Sequence, residues 1–442
     1  MKRSLFALSL VVALAAALVS PASSAPKQAS EYTIVEEALP FEALPDATAY
    51  FGTFDQAGYR IEVPTDWNGE LVMWAHGYAG TGAELFVQNP PDALRTYFVE
   101  NGYAWAASSY AKNDYNVLDP ARETRRLAGN FFRLTNEGNP TQRYLAGYSM
   151  GGNITAYSAE RYGDYYAGTM PMCGVMADLD LFDYFADINL AAQELGGAGS
   201  FPVDPVQWIG SDVPTIKSNL EAVEGGWPLA LNEDGQNYKN LVEQASGGDR
   251  PNFDEGWFFW NSIAEDFLFG TAIDSGTVAV RGDYLQTTDS VYQFDADPAL
   301  SPEEVAFNES IQRLDRDNIR LKDRRGIPEN TGDIEAPMLA MHNLGDLFVP
   351  YFNEIEYAER VAASGNSDLL VQRAIRGAQH CDFTDAELVQ GFADLVNWVD
   401  NGVKPEGDAI LDPAAVADPS YGCKFTIGDH LFGTPCGVEA MS

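Results

Sequence analysis

The sequence predicts an α/β protein: a mostly parallel sheet with helices on both faces, split into two stretches by a large insertion. Short apolar runs alternate with amphipathic runs from residue 70 to 173 and again from 337 to 399. Parallel neighbours must be joined by a crossover, usually a helix, so this alternation belongs to a parallel sheet. Between the two stretches, residues 174–335 lose the alternation and read as irregular, acidic and rich in aromatic side chains. No internal repeat or low-complexity tract is visible.

At the N-terminus, Lys2 and Arg3 precede an apolar run over 5–19, followed by Pro21 and Ala22-Ser23-Ser24-Ala25. This is the pattern of a secretory signal, residues 1–25, cleaved near Ala25. The run is short for a membrane span, and no other segment approaches that length, so a soluble mature protein is expected, with no membrane partner.

The first part of the core is expected over 32–173. Strand-like pieces at 50–52 and 59–63 are separated by turn residues, and the first strongly buried strand, 70–76, runs into Gly77-Tyr78-Ala79-Gly80. A helix over 91–101 stops at Gly102 and is followed by a strand over 103–108. Asp119-Pro120 reads as a helix start, an acidic cap with proline in the first turn, for a helix reaching about residue 135. A strand ending at Ser149, a helix over 150–162 and a buried strand over 168–173 complete this part. The second part, 336–402, comprises strands at 337–342 and 369–375 and helices at 351–364 and 384–399. Thr384 and Glu387 form a capping box at the start of the last helix. A tail, 403–442, follows.

Sixty-five acidic against 27 basic side chains give a net charge of −38, and loss of Lys2 and Arg3 with the leader deepens it by two more. Such a charge repels phosphates, which disfavours nucleic acid and anionic membranes as partners. It suits an acidic extracellular protein, and salt would screen its self-repulsion. The four cysteines are an even number in an exported chain, which favours two disulfides. Cys423 and Cys436 close a loop in the tail, leaving Cys173 and Cys381 for each other.

The chemistry centres on Tyr144–Asn153, which contains Gly147, Ser149 and Gly151 as Gly-x-Ser-x-Gly at a strand-to-helix junction. A serine there is forced into a strained turn with its hydroxyl outward, and the glycines keep side chains off the crowded backbone. A serine hydroxyl needs a base, and the base needs a partner that fixes its tautomer. Of His76, His342, His380 and His430, His380 lies just beyond the last core strand, where a loop at the carboxyl edge would carry it back over Ser149. Asp346 follows a glycine turn at the end of the preceding strand and can reach that histidine from the correct edge. Asp382 is a poorer acid, being too close to His380 in the chain.

The order Ser149, Asp346, His380 on an interrupted α/β core resembles the α/β-hydrolase superfamily of serine esterases, lipases and exopeptidases, over residues 50–173 and 336–402. The resemblance implies the α/β-hydrolase fold and places an oxyanion hole at the backbone N–H groups of Tyr78 and Met150. His76 then braces the oxyanion loop. It also implies that residues 174–335 are a cap. Tannases and feruloyl esterases are similar in carrying a half-cystine directly after the histidine, but theirs pairs with a cysteine directly before the serine. That position here is Tyr148, so aromatic-ester specificity does not carry over.

The expected reaction is acyl transfer on a small-molecule ester through an acyl-enzyme, with no metal or organic cofactor required. No ligand cluster has zinc spacing, and the acidic residues form no recognisable calcium loop. The aromatic side chains of the insertion, including Trp208, Trp227 and Trp257–Trp260, either line an apolar pocket or only pack the cap onto the core. An exopeptidase or amidase is the alternative enzyme class, since the same triad cleaves amides. A non-catalytic binding protein on this fold is the third reading. Acyl group, alcohol and oligomeric state are not readable from the sequence.

Overall fold

The computed structural model describes residues 32–265, 267–270, 284–316 and 326–436. The leader, 1–25, lies outside them. Among the described residues ten strands are formed: β1 (Thr33–Ile34), β2 (Ala47–Phe54), β3 (Ala57–Pro64), β4 (Glu70–Ala75), β5 (Glu84–Leu85), β6 (Ala104–Ser108), β7 (Gln142–Tyr148), β8 (Gly168–Met172), β9 (Met338–Asn343) and β10 (Leu370–Ile375). Eight make one sheet in the order β10-β9-β8-β7-β4-β6-β3-β2, while β1 and β5 form a two-stranded ladder of their own. From β6 to β10 every pairing in the large sheet is parallel, whereas β3 is antiparallel to both β2 and β6. The central strands are buried on both faces: β6, β8 and β9 expose no residue. That is why they read as unbroken apolar runs rather than alternating ones.

Parallel strands end on one edge, so the segments after β4, β7, β9 and β10 emerge together there. In open α/β sheets ligands bind at that carboxyl edge. The helices Asp92–Glu100, Met150–Tyr162, Phe352–Ala363 and Asp385–Asn401 connect or flank these strands. The last is capped by Thr384 and Glu387 in a reciprocal box.

Two expectations need correction. The helix placed at 119–135 begins at Leu118 and ends at Gly129, and a short second helix, Phe131–Thr135, follows Asn130. Asp119 is therefore inside the first turn and not the cap, and it is Asn116 that accepts a hydrogen bond from the Asp119 amide at 3.0 Å. More substantially, the segment between β8 and β9 is not irregular. It contains the helices Asp180–Gly196, Val213–Leu220, Glu233–Ala245, Phe253–Phe258 and Pro302–Ser310. Asp180–Gly196 buries residues on almost every side, and a helix covered all round has no polar face to give it a period in the sequence.

The insertion shares a core with the sheet. One continuous apolar cluster joins Leu71, Leu145 and Ile154 to Trp208, Trp257 and Phe259. Trp208 and Trp257 are fully buried, with their indole N–H groups donating to the carbonyls of Phe269 and Pro228. These two tryptophans pack the insertion. Both cystines, Cys173–Cys381 and Cys423–Cys436, are formed. Among the described residues no helix is long and apolar enough to cross a membrane.

Candidate active site

Ser149 stands between β7 and the helix Met150–Tyr162 with φ 58° and ψ −122°. A non-glycine residue there is strained and persists only where its surroundings hold it. The backbone does so here: the Ser149 amide donates to Met172 O at 3.0 Å, and its carbonyl receives the Asn153 amide at 3.1 Å. The flanking glycines are steric necessities. A Cβ on Gly147 would lie 2.5 Å from Gly151 O and 2.6 Å from Ala75 O, and one on Gly151 would collide with Ala75 O.

The segment after β4 runs beneath this turn. A Cβ on Gly77 would lie 3.2 Å from the Ser149 Cβ and 3.7 Å from its Oγ, so the Gly77–Tyr78 backbone faces the nucleophile turn. Met150 heads its helix, where the first amides have no intrahelical acceptor and the helix dipole favours negative charge. His76 is buried and stacks on Tyr110 with ring centroids 4.1 Å apart. Its Nδ1 lies 2.7 Å from Gly77 O, and the Tyr110 hydroxyl donates to His76 O at 3.1 Å. Burial pushes the His76 pKa down to about 4, so this ring is neutral and braces the loop.

Asp346 is completely buried in the turn after β9. Its Oδ2 lies 2.6 Å from His380 Nδ1, while Oδ1 accepts from the amides of Phe348 at 2.9 Å and Val349 at 3.0 Å. That arrangement makes Nδ1 the protonated nitrogen and turns the buried Nε2 away from the carboxylate. His380 Nε2 has no hydrogen-bond partner among the described residues, so Asp346 and His380 are joined whereas Ser149 and His380 are not hydrogen-bonded to each other. The disulfide brings them into one neighbourhood. Cys173 follows the residue that holds the Ser149 amide, and Cys381 follows His380. Both sulfurs and a His380 ring nitrogen lie within 4.8 Å of one another. Asp382 takes no part in this pairing, since its carboxylate faces His430 at 3.3 Å.

Several side chains around this edge escaped the sequence reading. Arg250 Nε donates to Leu344 O at 2.7 Å, and Trp260 Nε1 to Ala378 O at 2.9 Å, so the insertion grips both the Asp346 turn and the His380 loop. Phe348 meets the His380 ring edge-on at 5.3 Å and stacks on Phe185 at 5.7 Å. Of these, Phe348 had the nearest signal, its place two residues beyond Asp346. Arg250 had none, being far away in the chain, and Trp260 was named only among the aromatic side chains of the insertion, with no link to the His380 loop.

No family model matches the chain. A curated protein described as o-phthalyl amidase, from Xanthobacter agilis, is 22% identical over 417 residues, which cover 83% of this chain and 90% of that protein. Among solved structures, an esterase from Aspergillus oryzae superposes with a TM-score of 0.52 at 15% identity, covering 81% of this chain and 80% of that one. Feruloyl esterase B from Aspergillus oryzae gives a TM-score of 0.48 at 15% identity, covering 81% of each chain. With its strand order, its serine turn between β7 and a helix, and the likeness to the first of these structures, the chain has the α/β-hydrolase fold.

Proposed function

We propose that the protein is a secreted serine hydrolase that cleaves carboxylic esters of small to medium, largely apolar substrates. Ser149 attacks the carbonyl carbon. His380 Nε2 takes the serine proton and returns it to the leaving oxygen, which departs as the alcohol and leaves an acyl-enzyme. Water, deprotonated by the same nitrogen, then releases the acid. Asp346 holds the Nδ1–H and stabilises the imidazolium as it forms. The backbone N–H groups of Met150 and Tyr78 receive the oxyanion, where preorganised donors are worth most. Residues 174–335 act as the cap that bounds the acyl pocket, with the partly exposed Phe348 on its His380 side.

The observation that carries this reading is the 2.6 Å contact of His380 with a fully buried Asp346, with Nε2 lacking a partner among the described residues; the strained turn at Ser149 supports it. The two disulfides and the expected leader sequence support secretion. The relative named for amidase activity favours amide cleavage as a second reading, because the triad protonates a leaving nitrogen as readily as a leaving oxygen.

One experiment tests both. The mature protein and its Ser149→Ala variant are assayed on a ladder of p-nitrophenyl acyl esters and a matched ladder of acyl anilides that includes an o-phthalyl amide. Faster turnover of esters, with a loss of more than ~10³-fold in the variant, is expected. Preference for the anilides replaces the esterase reading by the amidase one. Inertness on both, with no fluorophosphonate labelling of Ser149, rejects the hydrolase reading altogether.

A further inference from the structure

The mechanism leaves His342 without a task, although it is a fully buried histidine on the strand that delivers Asp346. Its Nε2 lies 2.7 Å from Val349 O and its Nδ1 lies 3.2 Å from Glu354 Oε1. Neither ring nitrogen faces a donor. A carbonyl oxygen can only accept, and a neutral imidazole has a single N–H to give. The Glu354 carboxylate is itself fixed as an acceptor on its other side, where Gln372 Nε2 donates to Oε2 at 2.6 Å.

We infer that His342 is held as the imidazolium and is the positioning residue of the Asp346 turn. The linkage is short. The ring fixes the Val349 carbonyl, and the amide of the same residue is one of the two that hold Asp346 Oδ1. Asp346 Oδ2 in turn orients His380. His342 thereby ties the far end of the turn to the strand from which the turn departs, while Glu354, on the next helix, balances its charge. The inference rests on the proposed role of Asp346 as the acid of the triad.

The groups facing the ring are consistent with a positive charge. Glu354 comes from the helix Phe352–Ala363, Asp346 from the turn, and Tyr351 meets the ring edge-on at 6.1 Å. The Tyr351 hydroxyl is occupied by that of Tyr421. From β10 the neighbour in register is Ala374, which brings no charge. Arg250, a cation near the turn, is spent on the backbone carbonyls of Leu344 and Gly248 and on Ser246. Burial disfavours the charged ring, but Glu354, Asp346 and the Val349 carbonyl together outweigh it, so the pKa stands above the ordinary histidine value. A raised pKa means that the brace is complete below the unfolded value of about 6.5 and is lost as pH rises through the folded one.

The test uses the full-length protein. Histidine ring ¹⁵N spectra, with the His342 signals assigned by their loss in His342→Gln, are expected to show both nitrogens protonated at pH 7. A singly protonated ring at that pH overturns the inference. In turnover assays His342→Gln is expected to lower kcat roughly 10- to 100-fold, with KM within about twofold, because the turn is misplaced but the substrate pocket is untouched. Unchanged kcat in a folded variant also overturns it. If His342→Gln does not fold, Glu354→Gln removes the counter-charge at constant shape and is expected to move the ring titration to lower pH; an unmoved titration overturns the inference. Retained turnover in Ser149→Ala would remove the triad and with it the positioning role, while the ring spectra would still report the charge of His342.

Discussion

The two halves of the candidate site are built differently. Around Ser149 the backbone does the holding: Gly147 and Gly151 let carbonyls approach where no side chain fits, and the Ser149 amide and carbonyl are both hydrogen-bonded to main chain. Around Asp346 and His380 side chains from distant elements add to the two backbone amides that hold Asp346. Arg250 and Trp260 reach in from the insertion, His342 and Asn343 from β9, Cys173 from the end of β8 and His430 from the tail. A backbone clamp has no ionisable part and should be indifferent to pH and to reductant. A side-chain clamp should respond to both.

The largest expected effect lies where the second half meets the chemistry. Asp346→Asn keeps the shape of the turn but presents a donor or a weaker acceptor to Nδ1, so that His380 takes the wrong tautomer. A fall of ~10⁴-fold in kcat with little change in KM is expected. Steady-state kinetics at pH 7 check it, and a loss below tenfold would show that Asp346 does not serve His380.

The backbone half is broken by Gly151→Ala. The added methyl meets Ala75 O with no room to retreat, and a cost of ~3 kcal/mol is expected from overpacking of this kind. Urea unfolding of the variant at pH 6 and pH 9 should give the same loss at both, since no titrating group is involved. A pH-dependent loss would contradict the contrast between the two halves.

This contrast also decides what was legible in the sequence. Gly147, Ser149 and Gly151 are neighbours in the chain, and the steric rule they obey is local. The strands were readable for the same reason, because burial on both faces leaves a continuous apolar run. Asp346 and His380 could be reached because parallel strands deliver their C-terminal residues to one edge. The braces could not. Arg250 is 94 residues from Leu344 and Trp260 is 118 from Ala378, and nothing in either local sequence marks an arginine or a tryptophan that will end on a distant carbonyl. The helix Asp180–Gly196 was hidden differently, since burial on nearly every side erases the period by which a helix is recognised.

The Cys173–Cys381 bridge sharpens the comparison at the next level of effect. It closes a span of 208 residues, and it alone ties the Ser149 side covalently to the His380 loop. The paired variant Cys173→Ala, Cys381→Ala is expected to lose ~2–4 kcal/mol of stability. If the bridge also stiffens His380, kcat measured well below the unfolding temperature falls as well, while fluorophosphonate labelling of Ser149 slows in proportion. Lost stability with unaltered kcat would make the bridge a staple for the fold and no part of the site's geometry.

The smallest effect comes from the tail, and its sign is the most specific. His430 lies between two carboxylates, with Nδ1 3.3 Å from Asp382 Oδ2 and Nε2 3.0 Å from Glu387 Oε1. Burial disfavours the charged ring, but the pair of acids outweighs it and raises the pKa to about 9. Because the folded value lies above the unfolded one, the stabilisation is complete below about pH 6.5 and disappears as pH rises through about 9. His430→Gln should therefore melt below the wild type at pH 6, by an amount on the order of 1 kcal/mol, and the gap should close by pH 10. The tail remains anchored through the Thr434 amide, which donates to Asn252 Oδ1 at 3.0 Å, and through the Ile427 carbonyl, which accepts from Thr384 Oγ1 at 2.9 Å, so the variant is expected to fold. A gap of equal size at both pH values would mean that His430 packs the tail without carrying charge. The side-chain half of the site would then owe its pH response to His342 instead.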